Sequence, residues 1–192
     1  MENFLADDSK AKKMLKASAV MDFITAAIYL ALSILLIILG VGMLNTDVNS
    51  GEDASSAGEA IGGAFAAVFG KMILIILAGM FFVIAAVGII VTIVSVAYGG
   101  KSVSLLKMPI DVIARKVRAI KVGAIFGVIF FVALIIVGII AAIGSPASIA
   151  LFLGLGVVIL ATSIVNFKMV KEVELAWKAE LERRQEAGEY YI

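Results

Sequence analysis

An all-α, polytopic membrane protein with a bundle of four transmembrane helices is the fold class that this sequence predicts. Of its 192 residues, 62% are hydrophobic and 16% are charged, whereas a soluble domain averages roughly 45–50% apolar and about 25% charged residues. Four apolar runs have the length of about 20 residues that a helix needs to cross the hydrocarbon of a bilayer. None of them alternates as the strands of a membrane barrel do. The composition therefore excludes a water-soluble globular enzyme and a disordered chain.

The four predicted spans are separated from one another by charged, polar or glycine-containing segments. They cover residues 23–44, 72–98, 122–143 and 147–167. Only a helix satisfies its own backbone hydrogen bonds when a single segment crosses lipid. The first run is longer than the apolar region of about 7–15 residues in a signal peptide, and no small-residue cleavage motif follows it. We therefore expect the first helix to be retained.

The distribution of positive charge predicts the orientation of the spans. Fifteen of the sixteen lysines and arginines lie before residue 17, within 99–121 or after residue 167. The other side receives the acidic 45–59 segment and the short turn at 144–146. Because cytoplasmic loops carry the excess of Lys and Arg, we expect both termini to be cytoplasmic. Compact loops and the absence of secretory and disulfide features favour the plasma membrane of a prokaryote.

Three segments outside the spans have a character of their own. Residues 45–70 predict an acidic outer loop followed by a helix along the membrane surface, because one helix over 60–98 measures about 58 Å, too long for one span. Residues 99–121 predict a basic cytoplasmic loop, and 168–192 a cytoplasmic helical tail. The tail has an apolar stripe, suited to a partner helix or to packing beneath the membrane, that consists of Val170, Val173, Trp177 and Leu181.

The most specific pattern in the chain is a row of small residues spaced four apart. On a helix, such a row forms a groove into which another helix backbone packs closely. This small-residue groove consists of Ala54, Gly58, Gly62, Ala66 and Gly70. It predicts a docking surface for an identical subunit or another membrane protein, or else a groove that one of the protein's own helices fills. Gly123 and Gly127 repeat the pattern in the third span and have the same two interpretations.

The segment from Pro109 to Lys121 combines an apolar stripe with a cationic side. Its apolar positions recur at helical spacing, and its candidates for contact with anionic lipid are Arg115, Lys116, Arg118 and Lys121. One interpretation is a basic amphipathic helix that lies in the membrane interface and attracts anionic headgroups. The other is a plain cytoplasmic extension of the third span.

Two ionisable residues lie at the edges of the predicted spans. Ionisable groups within hydrocarbon are costly and usually functional. Asp22 precedes the first span and Lys71 precedes the second. Both are candidates for charges at a membrane boundary, although Lys71 would lie near mid-membrane if the second span began near residue 60.

The residue types and motifs that the chain lacks exclude several kinds of catalytic and binding site. The chain has no cysteine and no histidine, which excludes disulfides, thiol catalysis, Cys-type zinc sites and the usual general base near neutral pH. It has neither a phosphate-binding glycine motif nor a nucleophile elbow. A net charge of +1 does not point to nucleic acid. We therefore expect a protein that is not an enzyme and that uses no cofactor, no metal and no nucleic-acid partner.

Three functions stay open at this point. The first is a structural or accessory subunit that lies in the lipid bilayer and docks to itself or to another membrane protein. The second is a homo-oligomeric channel or facilitator for a small solute, whose pore would be lined by Thr92, Ser95, Thr162 and Asn166. The third is a membrane-surface sensor or stress protein whose 109–121 helix recognises anionic lipid.

Overall fold

In the residues that it describes, the computed structural model has four α-helices, each long and apolar enough to span a membrane. It describes Leu5, Ser9 and the ranges 10–46, 57–141 and 147–188. The helices are α1 (Lys10–Leu44), α2 (Ala57–Leu105), α3 (Ile110–Ala141) and α4 (Ala147–Glu186). The prediction of an all-helical chain with four such helices is confirmed for these residues. The 144–146 turn and most of the acidic 45–59 segment lie outside them.

The helices extend well beyond the predicted spans. α2 is one helix of 49 residues, about 74 Å long at 1.5 Å per residue. It is not interrupted at Lys71, so the segment expected to lie along the membrane surface is part of the same helix as the predicted second span. Residues 99–121 are largely helical, since α2 continues to Leu105 and α3 begins at Ile110. A charged residue lowers the hydropathy of a segment without breaking its i→i−4 hydrogen bonds, and α2 contains no proline that would break them.

Contacts within the chain divide it into two compact units. Unit 1 comprises residues 1–26 and 94–192, and unit 2 comprises residues 27–93. Unit 1 therefore contains the first half of α1, the end of α2 and the whole of α3 and α4. Unit 2 contains the second half of α1 and most of α2.

The core of unit 1 is formed by the amphipathic stripes of its helices. Its fully buried side chains include Leu15, Leu105, Ile113, Val117, Ile120, Met169 and Val173. Trp177, the only tryptophan of the chain, packs against this core. Burying a side chain of such size stabilises a fold by about 1.5–3 kcal/mol. The apolar stripe of the 109–121 segment is thus covered by the protein itself, and so are Val170 and Val173 of the tail stripe, whereas Leu181 is half-buried and lies outside this core.

α3 and α4 approach each other closely through glycines. A Cβ atom added at Gly138 would lie 3.0 Å from the Cβ of Phe152, and one added at Gly156 would lie 2.7 Å from the ring of Phe131. Real side chains do not tolerate such distances without a shift. The absence of a side chain at these two positions therefore lets an aromatic residue of the facing helix pack against the backbone.

Gly123 and Gly127 are filled by side chains of unit 1 in the same way. A Cβ at Gly123 would lie 2.5–2.7 Å from atoms of the Tyr98 ring, and a Cβ at Gly127 would overlap the hydroxyl of Ser163. Of the two interpretations of this pair, packing within the protein is the one that the structure shows.

In unit 2, α1 and α2 also pack through a glycine, and α2 continues past the end of α1. A Cβ at Gly40 would lie 2.9 Å from the ring of Phe82. The ammonium of Lys71 donates a hydrogen bond to the carbonyl of Thr46, with an Nζ–O distance of 3.5 Å. Because α1 ends at Leu44, this contact puts Lys71 level with the C-terminal end of α1, where a cation is favoured by the exposed carbonyls. Residues 57–70 of α2 therefore extend beyond that level.

Candidate functional site

Buried polar side chains from three helices meet in unit 1. This polar cluster, whose members are at most 6% exposed, consists of Ser18, Asp22, Thr25, Ser102, Thr162 and Asn166. The three residues of α1 follow an i, i+4, i+7 spacing and the two of α4 an i, i+4 spacing, so each set lies on one helical face. Sequence reasoning singled out Asp22, Thr162 and Asn166 separately but missed Ser18 and Ser102, which lie outside the predicted spans. The i, i+4, i+7 spacing on α1 could have pointed to Ser18, whereas Ser102 has no such signal because it lies on α2.

Asn166 occupies the centre of the polar cluster. Its Nδ2 donates to Oδ1 of Asp22 over 3.2 Å, and its Oδ1 accepts a hydrogen bond from the Ser18 hydroxyl over 2.6 Å. The Ser18 hydroxyl also lies 3.3 Å from that of Ser102. One amide thus connects α4 to two residues of α1, and through Ser18 to α2.

Asp22 is the one acidic member of the cluster. It is 2% exposed, and its Oδ2 is buried without a hydrogen-bond partner among the described residues. A Cβ at Gly99 would lie 3.3 Å from the Cβ of Asp22, so the end of α2 comes close to α1 beside this carboxylate. The structure therefore places Asp22 inside unit 1, whereas its position relative to a membrane boundary stays a prediction.

A second hydrogen-bonded pair lies one turn away in the cluster. The hydroxyls of Thr25 and Thr162 are 2.7 Å apart, and the Thr162 hydroxyl also donates to the carbonyl of Val158 over 3.0 Å. A hydroxyl has one proton to donate. Thr25 is therefore the donor to Thr162, and this bond joins α1 to α4.

Replacing Thr25 by valine, which has nearly the same shape, should lower the stability of the protein by about 1 kcal/mol, because a buried hydrogen bond is lost. We expect a fall in Tm of about 2–4 °C, followed in mild detergent by the fluorescence of Trp177. In a double-mutant cycle with Thr162→Val, a coupling energy near zero would show that the two hydroxyls do not interact.

The four cations proposed to contact anionic lipid are exposed. Lys121 lies 3.6 Å from the carboxylate of Glu174, and the ammonium of Lys116 lies 3.5 Å from the sulfur of Met108. The other two, Arg115 and Arg118, are exposed on α3 as well. The apolar stripe on which a membrane-lying helix would rest is buried in the core of unit 1. These cations are consequently not joined to a free apolar face.

The small-residue groove of α2 differs from the glycines of α3. Gly62 and Ala66 are exposed, and a Cβ at Gly62 would have no atom within 4 Å. Gly70 is half-buried, and Gly58 lies in the first turns of α2. Ala54 lies outside the described residues. Around Gly62 and Ala66, therefore, the groove is not filled by another helix of the described chain.

Large apolar side chains lie beside the groove. Phe65 is 67% exposed and Phe69 is 55% exposed. The rings of Phe65 and Phe69 lie 5.4 Å apart, measured between centroids. Together with Gly62 and Ala66 they make an apolar surface on the part of α2 that extends beyond the end of α1.

Neither the described side chains nor the comparisons point to a known kind of site. Among the described residues, no group of three or more acidic side chains stands where it would hold a metal ion. No known protein family, curated protein or solved structure shows significant similarity to this chain.

Proposed function

We propose that this protein is a non-enzymatic membrane protein that acts as a structural or accessory subunit and docks, through the small-residue groove of α2, to a second copy of itself. The observation that supports the proposal is the open groove around Gly62, flanked by Phe65 and Phe69, on a helix that continues past its partner α1. We further propose a multi-pass location in the plasma membrane of a prokaryote, with both termini cytoplasmic.

The position of this surface is the reason why a partner is needed. If Lys71 lies at the level of the headgroups, residues 57–70 lie outside the hydrocarbon, where lipid tails do not cover them. Apolar surface left in water costs about 25 cal/mol per Å². Covering Phe65 and Phe69 with protein therefore favours association.

A second copy suits this surface because the row of small residues runs along a single helix. A twofold axis brings the same patch of two subunits together, and such isologous dimers are the commonest soluble homo-oligomers. Small residues on both helices then let the two backbones approach closely, as in small-xxx-small contacts between membrane helices.

The substitution Gly62→Leu tests this docking. A Cβ at Gly62 has no atom within 4 Å, so we expect a leucine there to leave the fold intact and the association constant to fall at least about tenfold, equivalent to about 1.4 kcal/mol. Native mass spectrometry of the full chain, extracted in mild detergent, would show a dimer for the wild type and mainly a monomer for the variant.

Gly79→Leu is the matched control. Gly79 belongs to the same helix, is exposed and also has no atom within 4 Å of an added Cβ, but it lies about 100° around the helix from Gly62. It should leave the dimer intact. A monomeric wild type, or equal association of both variants, would contradict self-docking. If a different membrane protein is bound to the wild type and to Gly79→Leu but not to Gly62→Leu, that protein is the partner.

The channel alternative has less support from the same structure. Thr162 and Asn166 are buried and bonded to other side chains of unit 1, and the Thr92 hydroxyl donates to the carbonyl of Gly88 over 2.9 Å. Side chains that line a pore have to present these groups to the solute instead. Solute flux in liposomes that persists in the Gly62→Leu variant would favour a facilitator over an accessory subunit.

A further inference from the structure

The carboxylate of Asp22 is buried in unit 1 without a positively charged partner among the described residues. An ionised carboxylate taken out of water loses several kcal/mol of solvation unless it is paired and hydrogen-bonded. Its Oδ1 accepts one hydrogen bond, from Asn166. Its Oδ2 accepts none among the described residues, where no lysine or arginine forms an ion pair with it.

We propose that the polar cluster binds a small monovalent cation, with Oδ2 of Asp22 as its charged ligand. A bound cation would supply the counter-charge that this buried carboxylate lacks. The proposal concerns unit 1, and it is independent of docking through the small-residue groove in unit 2.

Neutral oxygens for such an ion belong to the hydrogen-bonded network that includes the carboxylate. Ser18 is one turn before Asp22 on the same face of α1. Its Oγ lies 2.6 Å from the amide oxygen of Asn166 and 3.3 Å from the hydroxyl of Ser102. Serine hydroxyls and amide oxygens have lone pairs that remain available for a cation when the oxygen already takes part in one hydrogen bond.

The charge of these ligands selects the class of cation. Calcium takes 6–8 oxygen ligands, several of them carboxylates, and magnesium is held through carboxylates and phosphates. Asp22 is the only acidic member of the polar cluster. One carboxylate surrounded by neutral oxygens balances a single positive charge, so Na⁺ is the appropriate probe.

The experiment measures the Tm of the full chain in mild detergent, with the fluorescence of Trp177 as the signal. NaCl is compared with the chloride of N-methylglucamine, an organic cation much larger than Na⁺, at equal ionic strength. Binding to the folded state alone stabilises it by mass action, so we expect saturating Na⁺ to raise the Tm by about 5 °C. The substitution Asp22→Asn should abolish that rise.

The controls separate site binding from a general effect of salt. Asp111→Asn removes a carboxylate from the first turn of α3 and should keep the rise in Tm. Ser102→Ala provides a second test if Asp22→Asn does not fold, and it should raise the Na⁺ concentration at half-effect about tenfold, the factor that corresponds to about 1.4 kcal/mol. Equal Tm values in Na⁺ and N-methylglucamine, or a rise that survives in Asp22→Asn, would overturn the proposal. Neutralisation of the Asp22 carboxylate by a proton would then be the explanation for its burial without a counter-charge.

Discussion

Replacing Asn166 by leucine is expected to lower the stability of the protein by about 3 kcal/mol, since it leaves buried polar groups without their partner. The amide of Asn166 donates to Asp22 and accepts from Ser18. Leucine does neither, so the carboxylate of Asp22 would lose its hydrogen bond while it stays buried. The expected fall in Tm is about 6–12 °C, measured in mild detergent through the fluorescence of Trp177.

Two further variants make the interpretation specific. Gln185→Leu removes an exposed amide from the same helix and should change the stability by no more than about 0.5 kcal/mol. The double variant Asp22→Leu/Asn166→Leu removes the acceptor together with the donor, and it should be at least as stable as Asn166→Leu alone, because apolar residues often replace a buried polar pair without loss. An Asn166→Leu protein as stable as the wild type would show that this hydrogen-bonded network contributes nothing to folding.

Introducing leucine at Gly127 should destabilise the contact between α3 and α4 by about 3 kcal/mol, because overpacking forces side chains and backbone to move. A Cβ at this position would overlap the hydroxyl of Ser163 and lie 3.5 Å from the side chain of Ile159. Rotation of Ser163 would accommodate a methyl group but not a whole isobutyl group. We expect a Tm lower by about 6–12 °C.

Gly154→Leu is the same substitution on an exposed face of α4. A Cβ at Gly154 has no atom within 4 Å, so leucine should be tolerated and should stabilise the helix by up to about 1 kcal/mol through its better helix propensity. The contrast between the two variants is the measurement. Equal stability of Gly127→Leu and Gly154→Leu would show that the close approach at Gly127 does not contribute to stability.

The helical secondary structure and the number of helices could be predicted from the sequence because they depend on local properties. Apolar runs of sufficient length form helices in which each backbone group bonds within its own segment. The two prolines of the chain, Pro109 and Pro146, directly precede the first residues of α3 and α4. Proline suits the beginning of a helix and not its interior, so these boundaries were visible in advance. The continuity of α2 through Lys71 was not, since hydropathy reports solvent preference rather than backbone hydrogen bonding.

What each helical face packs against was decided only by tertiary contacts. The apolar stripe containing Ile113 and Val117 has the spacing of a membrane-lying helix and also of a core helix, and burial against α1 and α4 selected the second. Glycines at a spacing of four are filled at Gly127 but open at Gly62, although their local pattern is the same. Asp22 and Asn166 are 144 residues apart and bond only because α1 and α4 come together. A periodic pattern determines which residues share a face, whereas the neighbour of that face depends on the packing of distant segments.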